Sequence, residues 1–281
     1  MTFTDSTGTH WFKYHGALLP HTPPDQNIHL TSQDREYLLR ESNAYFLRWT
    51  NNFDTSATTS FWYVIKDQKE SLSSYASNVR NQIRKGLSLC IAVPVSLTEI
   101  LEHGYSIYKK ASLKYRNFSP VDLDEFTAFH QSLGKDSNNE FWILKDKSNG
   151  NAIGYAHTVV SENMCHYSSI KLDPDYLKLY GGYALIYTMN MHYLNERNYA
   201  YVNDGARSIS HLTNIQDFLI QKFKFRKAYC TLHIAYRKDI FCIVKILYPF
   251  RNWLKNATYP SLRKVYTLLI QEELHRTNDK S

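Results

Sequence analysis

Two groups of residues in this chain have the types and spacing that chemistry requires. The first is Gly181-Gly182, which opens an apolar segment, Ala184 to Leu194, free of Gly and Pro and long enough for a helix. A helix N-terminus offers backbone N–H groups with no internal partner and the positive end of the macrodipole. Glycines just ahead of it let a pyrophosphate approach the backbone closely. The same pair also makes a plain turn, and spacing alone does not separate the two roles. The second group is Asp204-Gly205-Ala206-Arg207-Ser208, the strongest polar constellation in the chain. It too has an ordinary reading, as a turn across which Arg207 pairs with Asp204.

The elements around these groups follow from pattern. Met164 to Leu172 (MCHYSSIKL) is extended in character, and Pro174 ends regular pairing after it. Tyr199 to Val202 is a short β-rich run, and Asn203, Asp204 and Gly205 are turn residues. Thr213 or Asn214 can cap a second helix, in which Ile215, Phe218, Leu219 and Phe223 recur at helical spacing. Arg226 to Tyr236 is strand-like again. Upstream, Phe141 to Leu144 and Ala152 to Val160 form a hairpin around Ser148-Asn149-Gly150. The fold class is therefore α+β: a mixed sheet flanked by helices, in which the crossover helix makes the Met164 and Tyr199 strands parallel.

This order of elements resembles the GCN5-related N-acetyltransferase (GNAT) superfamily, in particular its FemAB-like and uncharacterised bacterial branches, over roughly residues 60–237. The family's phosphate-cradling loop reads Gln/Arg-x-x-Gly-x-Gly/Ala. Here Gly182 and Ala184 match, Leu179 replaces the polar first position, and Lys178 can supply the charge instead. The family's later helix reads Asn-x-x-Ala-x-x-Leu-Tyr-x-x-x-Gly-Phe. Aligned on Phe225, Thr213 takes the Asn position with Asn214 adjacent, Lys224 the Gly position, and Ile220 the Tyr position that often supplies the general acid.

The resemblance implies an acyl donor, either acetyl-CoA or another acyl-CoA, or an aminoacyl-tRNA, held by Lys178, Gly181, Gly182, Tyr183, Ala184 and Asn214. It also implies main-chain donors at the splayed end of the Met164 strand, Ser169 to Leu172, and among them Ile170, Lys171 and Leu172. Direct acyl transfer needs such donors for the carbonyl, a base for the nucleophile and a proton for the leaving group. On the family's pattern Asp204 is the base, Arg207 an anion or substrate clamp, and Ser208 or Tyr229 the proton donor. Pairing with Arg207 would lower the Asp204 pKa and weaken it as a base, which makes His211 the next candidate. Arg80-Asn-Gln-Ile83-Arg84-Lys85 is similar to a FemAB-like segment, placing Arg80 and Arg84 against a polyanionic or aminoacyl-carrying substrate; a solvated helical face has the same sequence. The acceptor is then an amine or hydroxyl on a small molecule or cell-envelope precursor. The alternative, motivated by Leu179 and Ile220, is a catalytically silent module that binds nucleic acid or an anionic lipid surface, with steep salt dependence.

Composition bounds these readings. The 281 residues suffice for one large or two small domains, and 43% hydrophobic with 15% aromatic content excludes disorder. A net charge of +7 favours anionic partners without choosing among them. Cys90, Cys165, Cys230 and Cys242 form no C-x-x-C; three lie in apolar strand-like runs and are read as small core residues, in a reducing, cytoplasmic compartment. No Cys/His cluster suggests a metal, no G-x-G-x-x-G suggests a dinucleotide, and no run of eighteen apolar residues suggests a membrane span.

Along the chain, residues 1–60 read as an irregular arm followed by a helix from Ser32 to Trp49, both packed on the body. Residues 61–140 read as a degenerate first half, 141–237 as the acyltransferase core, and 238–281 as C-terminal helices. Within 61–140, Phe61 to Ile65 is a strand, Ser73 to Leu87 a basic helix stopped by Gly86, and Leu89 to Val95 a strand whose Pro94 marks an edge. Leu97 to Tyr115 and Leu123 to Leu133 are amphipathic helices. Ile240 to Lys255 is apolar and aromatic with Lys245, Arg251 and Lys255 along it. Packing over the sheet is its expected fate, with weak membrane-surface contact the alternative.

Overall fold

A computed structural model describes residues 2–113, 119–209, 214–255 and 259–278. The chain divides into two units, one of Met1–Val64, Ala206–Asn214 and Lys227–Ser281, the other of Ile65–Gly205 and Ile215–Arg226.

The first unit corrects the reading of the N-terminus. Residues expected to form an irregular arm are strands β1 (Thr2–Thr4), β2 (His10–Tyr14) and β3 (Ala17–Pro20), joined as antiparallel neighbours. Trp11 on β2 is fully buried and donates its indole N–H to Asp5 at 3.0 Å, so this ring is core, whereas Tyr14 at the end of the strand is exposed. Helix α1 (Ser32–Ser42) starts from Thr31, which forms a capping box with Asp34. It ends at Asn43 in the left-handed region, short of Trp49. The remainder of the expected helix is β4 (Phe46–Asn51), which runs parallel to β3 and antiparallel to β11 (Arg226–Tyr236). Strand β5 (Phe61–Lys66) is as expected. Phe46, Phe61, Cys230, Leu232 and Leu274 of the final helix α8 (Pro260–Asn278) share one buried cluster.

The apolar stretch from Ile240 is also corrected. It forms α7 (Lys238–Leu247) and a 3-10 segment, Tyr248–Leu254, but Val244 is the one fully buried side chain of α7. Phe241, Ile243, Ile246, Phe250 and Trp253 are exposed.

The second unit contains α2 (Ser77–Leu89), β6 (Cys90–Val95), α3 (Leu97–Ser112), α4 (Leu123–Leu133), β7 (Asn139–Asp146), β8 (Ala152–Ser161), β9 (Met164–Leu172), α5 (Gly181–Asn190), β10 (Tyr201–Ala206) and α6 (Asn214–Phe223). Its strands lie in the order β10-β9-β8-β7-β6. As expected, β7, β8 and β9 are successive antiparallel neighbours and β9 and β10 are parallel. Strand β6 pairs with β7 at the end of the order, where the missing N–H of Pro94 costs no ladder bond. Strand β10 extends further than the β-rich run suggested and takes in Asn203, Asp204 and Gly205.

Gly86 does not stop α2, which continues to Leu89. It is buried, and a Cβ there would lie 2.5 Å from the Tyr180 carbonyl oxygen and 3.2 Å from the Ala184 nitrogen. The glycine therefore lets α2 reach the first turn of α5. Gly86→Val is expected to force the two helices apart and cost about 2 kcal/mol in urea unfolding. An unchanged midpoint would mean that this contact does not position α5.

Candidate functional site

The β9–β10 ladder is short. Pairing covers Tyr201 with Met164, Val202 with Cys165 and Asn203 with His166, and stops there. Strand β9 continues to Leu172, paired with β8 except at one bulge, and among the described residues its other edge has no strand partner past His166. A bulge accompanies the parting: His157 faces Ser169 and Thr158 faces Tyr167, leaving Ser168 as the extra, exposed residue. A bulge bends its strand and increases local twist, which swings the end of β9 away from β10. Ile170, Lys171 and Leu172 lie on that unpaired stretch and are part-buried.

The fork is fixed by His166, which pattern alone does not single out, and by Asn203, expected to be a turn residue. The Asn203 side-chain oxygen accepts the Gly205 N–H at 2.9 Å and faces His166 Nδ1 at 2.9 Å, while its amide nitrogen faces Met164 Sδ. With the amide so oriented, His166 Nδ1 is the donor and Nε2 the unprotonated nitrogen. Gly205 has φ +86, a conformation that favours glycine, and a Cβ there would approach His166 Cε1 to 3.3 Å. The available signal was a histidine and an asparagine at interior positions of two apolar strands.

Asp204 is the first residue of β10 beyond the last rung. Burial pushes its carboxyl up to about 7, opposed by a hydrogen bond from the Gln216 side chain on α6. The expected lowering by Arg207 is absent. The Arg207 guanidinium instead donates to the Ser60 carbonyl at 2.6 Å and stacks over Trp62 at 4.3 Å. Arg207, Ser208 and Tyr229 all belong to the first unit, and Tyr229 sits edge-on to Trp62. The proton donors expected at Ser208 or Tyr229 thus belong to a different unit from Asp204. His211 and Thr213 lie outside the described residues, as does the Asn214 side chain.

Between β9 and α5 the chain forms a 3-10 turn, Pro174–Leu179, capped by Asp173. Lys110 on α3 holds this turn by bridging Asp173 and Asp175 at 2.8 and 2.9 Å. Tyr180, at φ 57, redirects the chain, and its carbonyl accepts the Tyr183 and Ala184 N–H groups. The amides of Gly181 and Gly182 are left without an acceptor inside the helix. Gly181 is covered by Leu144 and Cys90, and a Cβ there would come within 2.6 Å of Leu144 Cδ2. Gly182 is part-open and abuts Leu172 at the end of β9, where a Cβ would come within 2.9 Å of Leu172 Cδ1. The double glycine is thus split between close packing and an accessible helix end. Lys178 is exposed.

On α2, Arg84 and Lys85 are exposed, and Lys85 lies 4.8 Å over the Tyr180 ring beside the start of α5. Arg80 is half-buried, with Nε unpaired. Ile220 is part-buried on α6. A cavity of about 390 Å³, lined in part by Asp67, Asn163 and Ala200, lies at the opposite, N-terminal ends of β9 and β10. Among the described residues, no group of three or more His, Cys, Asp or Glu side chains could hold a metal ion, and no helix is long and apolar enough to cross a membrane.

No family profile matches the chain, and no curated protein matches its sequence. Solved structures do resemble it. The DUF2156 C-terminal domain of a protein described as a lysylphosphatidylglycerol synthetase from Agrobacterium fabrum superposes with a TM-score of 0.54 at 10% identity, covering 88% of each chain. FemX gives 0.55 at 9% identity over 85% of this chain and 86% of its own. L-PGS from Bacillus licheniformis gives 0.50 at 11% identity over 98% of this chain and 89% of its own. At such identities the likeness is one of fold. The forked β9–β10 pair, the crossover helix and these superpositions agree: the chain shares the fold of FemX and of the DUF2156 domain, which is the fold that the resemblance to FemAB-like GNAT proteins implied.

Proposed function

We propose that the chain transfers an acyl or aminoacyl group from a CoA thioester or an aminoacyl-tRNA to an amine or hydroxyl acceptor, at the fork between β9 and β10. The observation that carries this reading is the placement of Asp204. It is a carboxyl with a pKa near 7, one step beyond the last β9–β10 rung, on the strand facing the unpaired edge of β9. A general base works best with a pKa near the operating pH, and backbone amides beside a parted ladder suit a developing oxyanion. Gly182 supplies the open helix end next to Leu172, and Lys85 adds positive charge where donor phosphates would lie. In the reaction the acceptor nitrogen or oxygen attacks the acyl carbon and gives its proton to Asp204. The C–S or C–O bond to the donor then breaks, its electron pair leaves on the CoA sulfur or the tRNA ribose oxygen, and that atom takes up the proton that Asp204 received. FemX and the lysylphosphatidylglycerol synthetase domain support this class through shared fold, and the second protein's name describes an aminoacylated lipid. A base poised near neutrality favours transfer over the silent binding module.

Calorimetry with acetyl-CoA and with a non-hydrolysable aminoacyl-tRNA analogue tests the site. The protein is expected to bind one of them, and Gly182→Trp is expected to weaken that binding at least tenfold, by about 1.4 kcal/mol or more. Equal binding by the variant, or binding of neither donor, would remove the donor site from this helix end.

A further inference from the structure

We propose that α7 and the 3-10 segment after it, with the start of α8, dock on an anionic lipid surface. Within the first unit this stretch turns its apolar side chains outward. Ile246 is 65% exposed, Trp253 83% and Tyr259 71%, with Phe241 and Phe250 also open. On α7, Cys242 and Ile246 stand one turn apart on the side away from Val244, the buried anchor of the helix. Phe250 and Trp253 extend the same run of apolar groups, their ring centroids 5.5 Å apart.

Charge decides what covers this surface. From Ile240 to Lys264 the sequence has no Asp or Glu, in a chain with 26 acidic residues, yet it has Lys245, Arg251, Lys255, Arg263 and Lys264. Arg251 is taken up by Glu273 and Tyr248, while Lys245, Lys255, Arg263 and Lys264 are exposed. Protein–protein interfaces are depleted of Lys at their cores, and a self-complementary interface would set these cations against one another. A bilayer surface accepts both features. Aromatic and aliphatic groups enter the headgroup boundary, and lysines stay level with lipid phosphates. The inference does not depend on acyl transfer, because it rests on a different segment and needs neither donor nor acceptor.

The test uses the full chain and vesicles of phosphatidylcholine, with or without about 30 mol% phosphatidylserine. Co-sedimentation is expected with the anionic vesicles and not the neutral ones, falling as salt is raised. Of the five tryptophans, Trp11, Trp49 and Trp142 are buried and Trp62 is covered by Arg207 and Lys227, so a blue shift on binding would come from Trp253. Ile246→Ser with Trp253→Ser is expected to weaken vesicle binding at least tenfold and abolish the shift, with thermal stability unchanged because both residues are exposed. Binding to neither vesicle, or equal binding by the double variant, would overturn the proposal. So would a concentration-dependent dimer in sedimentation equilibrium that the same double variant dissolves. Failure here with donor binding intact would leave the transferase reading standing, and the reverse result would separate them equally well.

Discussion

Asp204→Asn is expected to lower kcat by about 10²- to 10⁴-fold, the usual contribution of a positioned general base, while leaving donor affinity near that of the parent. The parent rate should climb tenfold per pH unit below about 7 and level off above it, following ionisation of Asp204. The same variant should be more stable than the parent at pH 8. The folded-state pKa of Asp204 is raised to about 7 from 3.8, so its contribution to stability is full below pH 3.8 and is lost as pH rises to about 7. Above that, the parent carries the cost of ionising a part-buried carboxylate, and the amide does not. The gain at pH 8 should be about 2 kcal/mol, allowing for solvent around a group that is not fully enclosed, and should vanish near pH 4. An active, unstabilised variant would mean that the base is elsewhere, with His166 Nε2 at the fork the next group to replace.

The second large effect concerns what holds the fork in place. Lys66 and Glu70 are buried together, with Nζ 3.7 Å from Oε2 and side-chain exposures of 2% and 0%. Glu70 Oε2 also accepts Tyr75 at 2.7 Å and Asn190 of α5 at 2.8 Å, and Asn190 in turn accepts Tyr167 of β9 at 2.8 Å. Lys66 donates to the Phe223 carbonyl at the end of α6. One carboxylate therefore links β9, α5 and the chain end of α6. Glu70→Leu strands a buried ammonium and two donors, and is expected to cost about 3–5 kcal/mol in urea unfolding. Lys66→Met with Glu70→Leu should recover part of that loss, because no charge is left unpaired. Burial lowers the Lys66 pKa from 10.5, with Glu70 opposing. For a group so depressed, stability is present above 10.5 and lost as pH falls, so the Glu70→Leu penalty should be larger at pH 7 than at pH 10. A loss independent of pH, with no recovery in the double variant, would show that packing rather than charge pairing governs the site.

Local pattern made much of the second unit legible. The Ser148-Asn149-Gly150 turn set the β7–β8 hairpin, Pro94 pointed to an edge or a strand end at β6, and the apolar helix after the glycines permitted β9 and β10 to be parallel. These signals are local or follow from chain connectivity. The first unit was harder to read. Phe46-Leu-Arg-Trp-Thr continues the apolar content of α1 and suits helix or strand. Its register with β11, Phe46 opposite Tyr236, is a long-range pairing that selects the strand.

The sequence alone determined the order strand, crossover helix, strand, and with it the resemblance on which the functional proposal rests. The candidate base came with that resemblance, which implies a base near the end of the adjacent strand, where Asp204 lies. Tertiary structure decided what those residues became. Burial near α6 raised the Asp204 pKa, whereas a turn pairing with Arg207 would have lowered it. Gly86 and Gly181 went to close packing, leaving Gly182 at the open helix end, and the aromatic run after Tyr236 stayed on the surface. Each of these depends on which distant atoms come to lie beside a group. Desolvation and steric contact are properties of that neighbourhood, and the spacing of residues along a chain does not encode it.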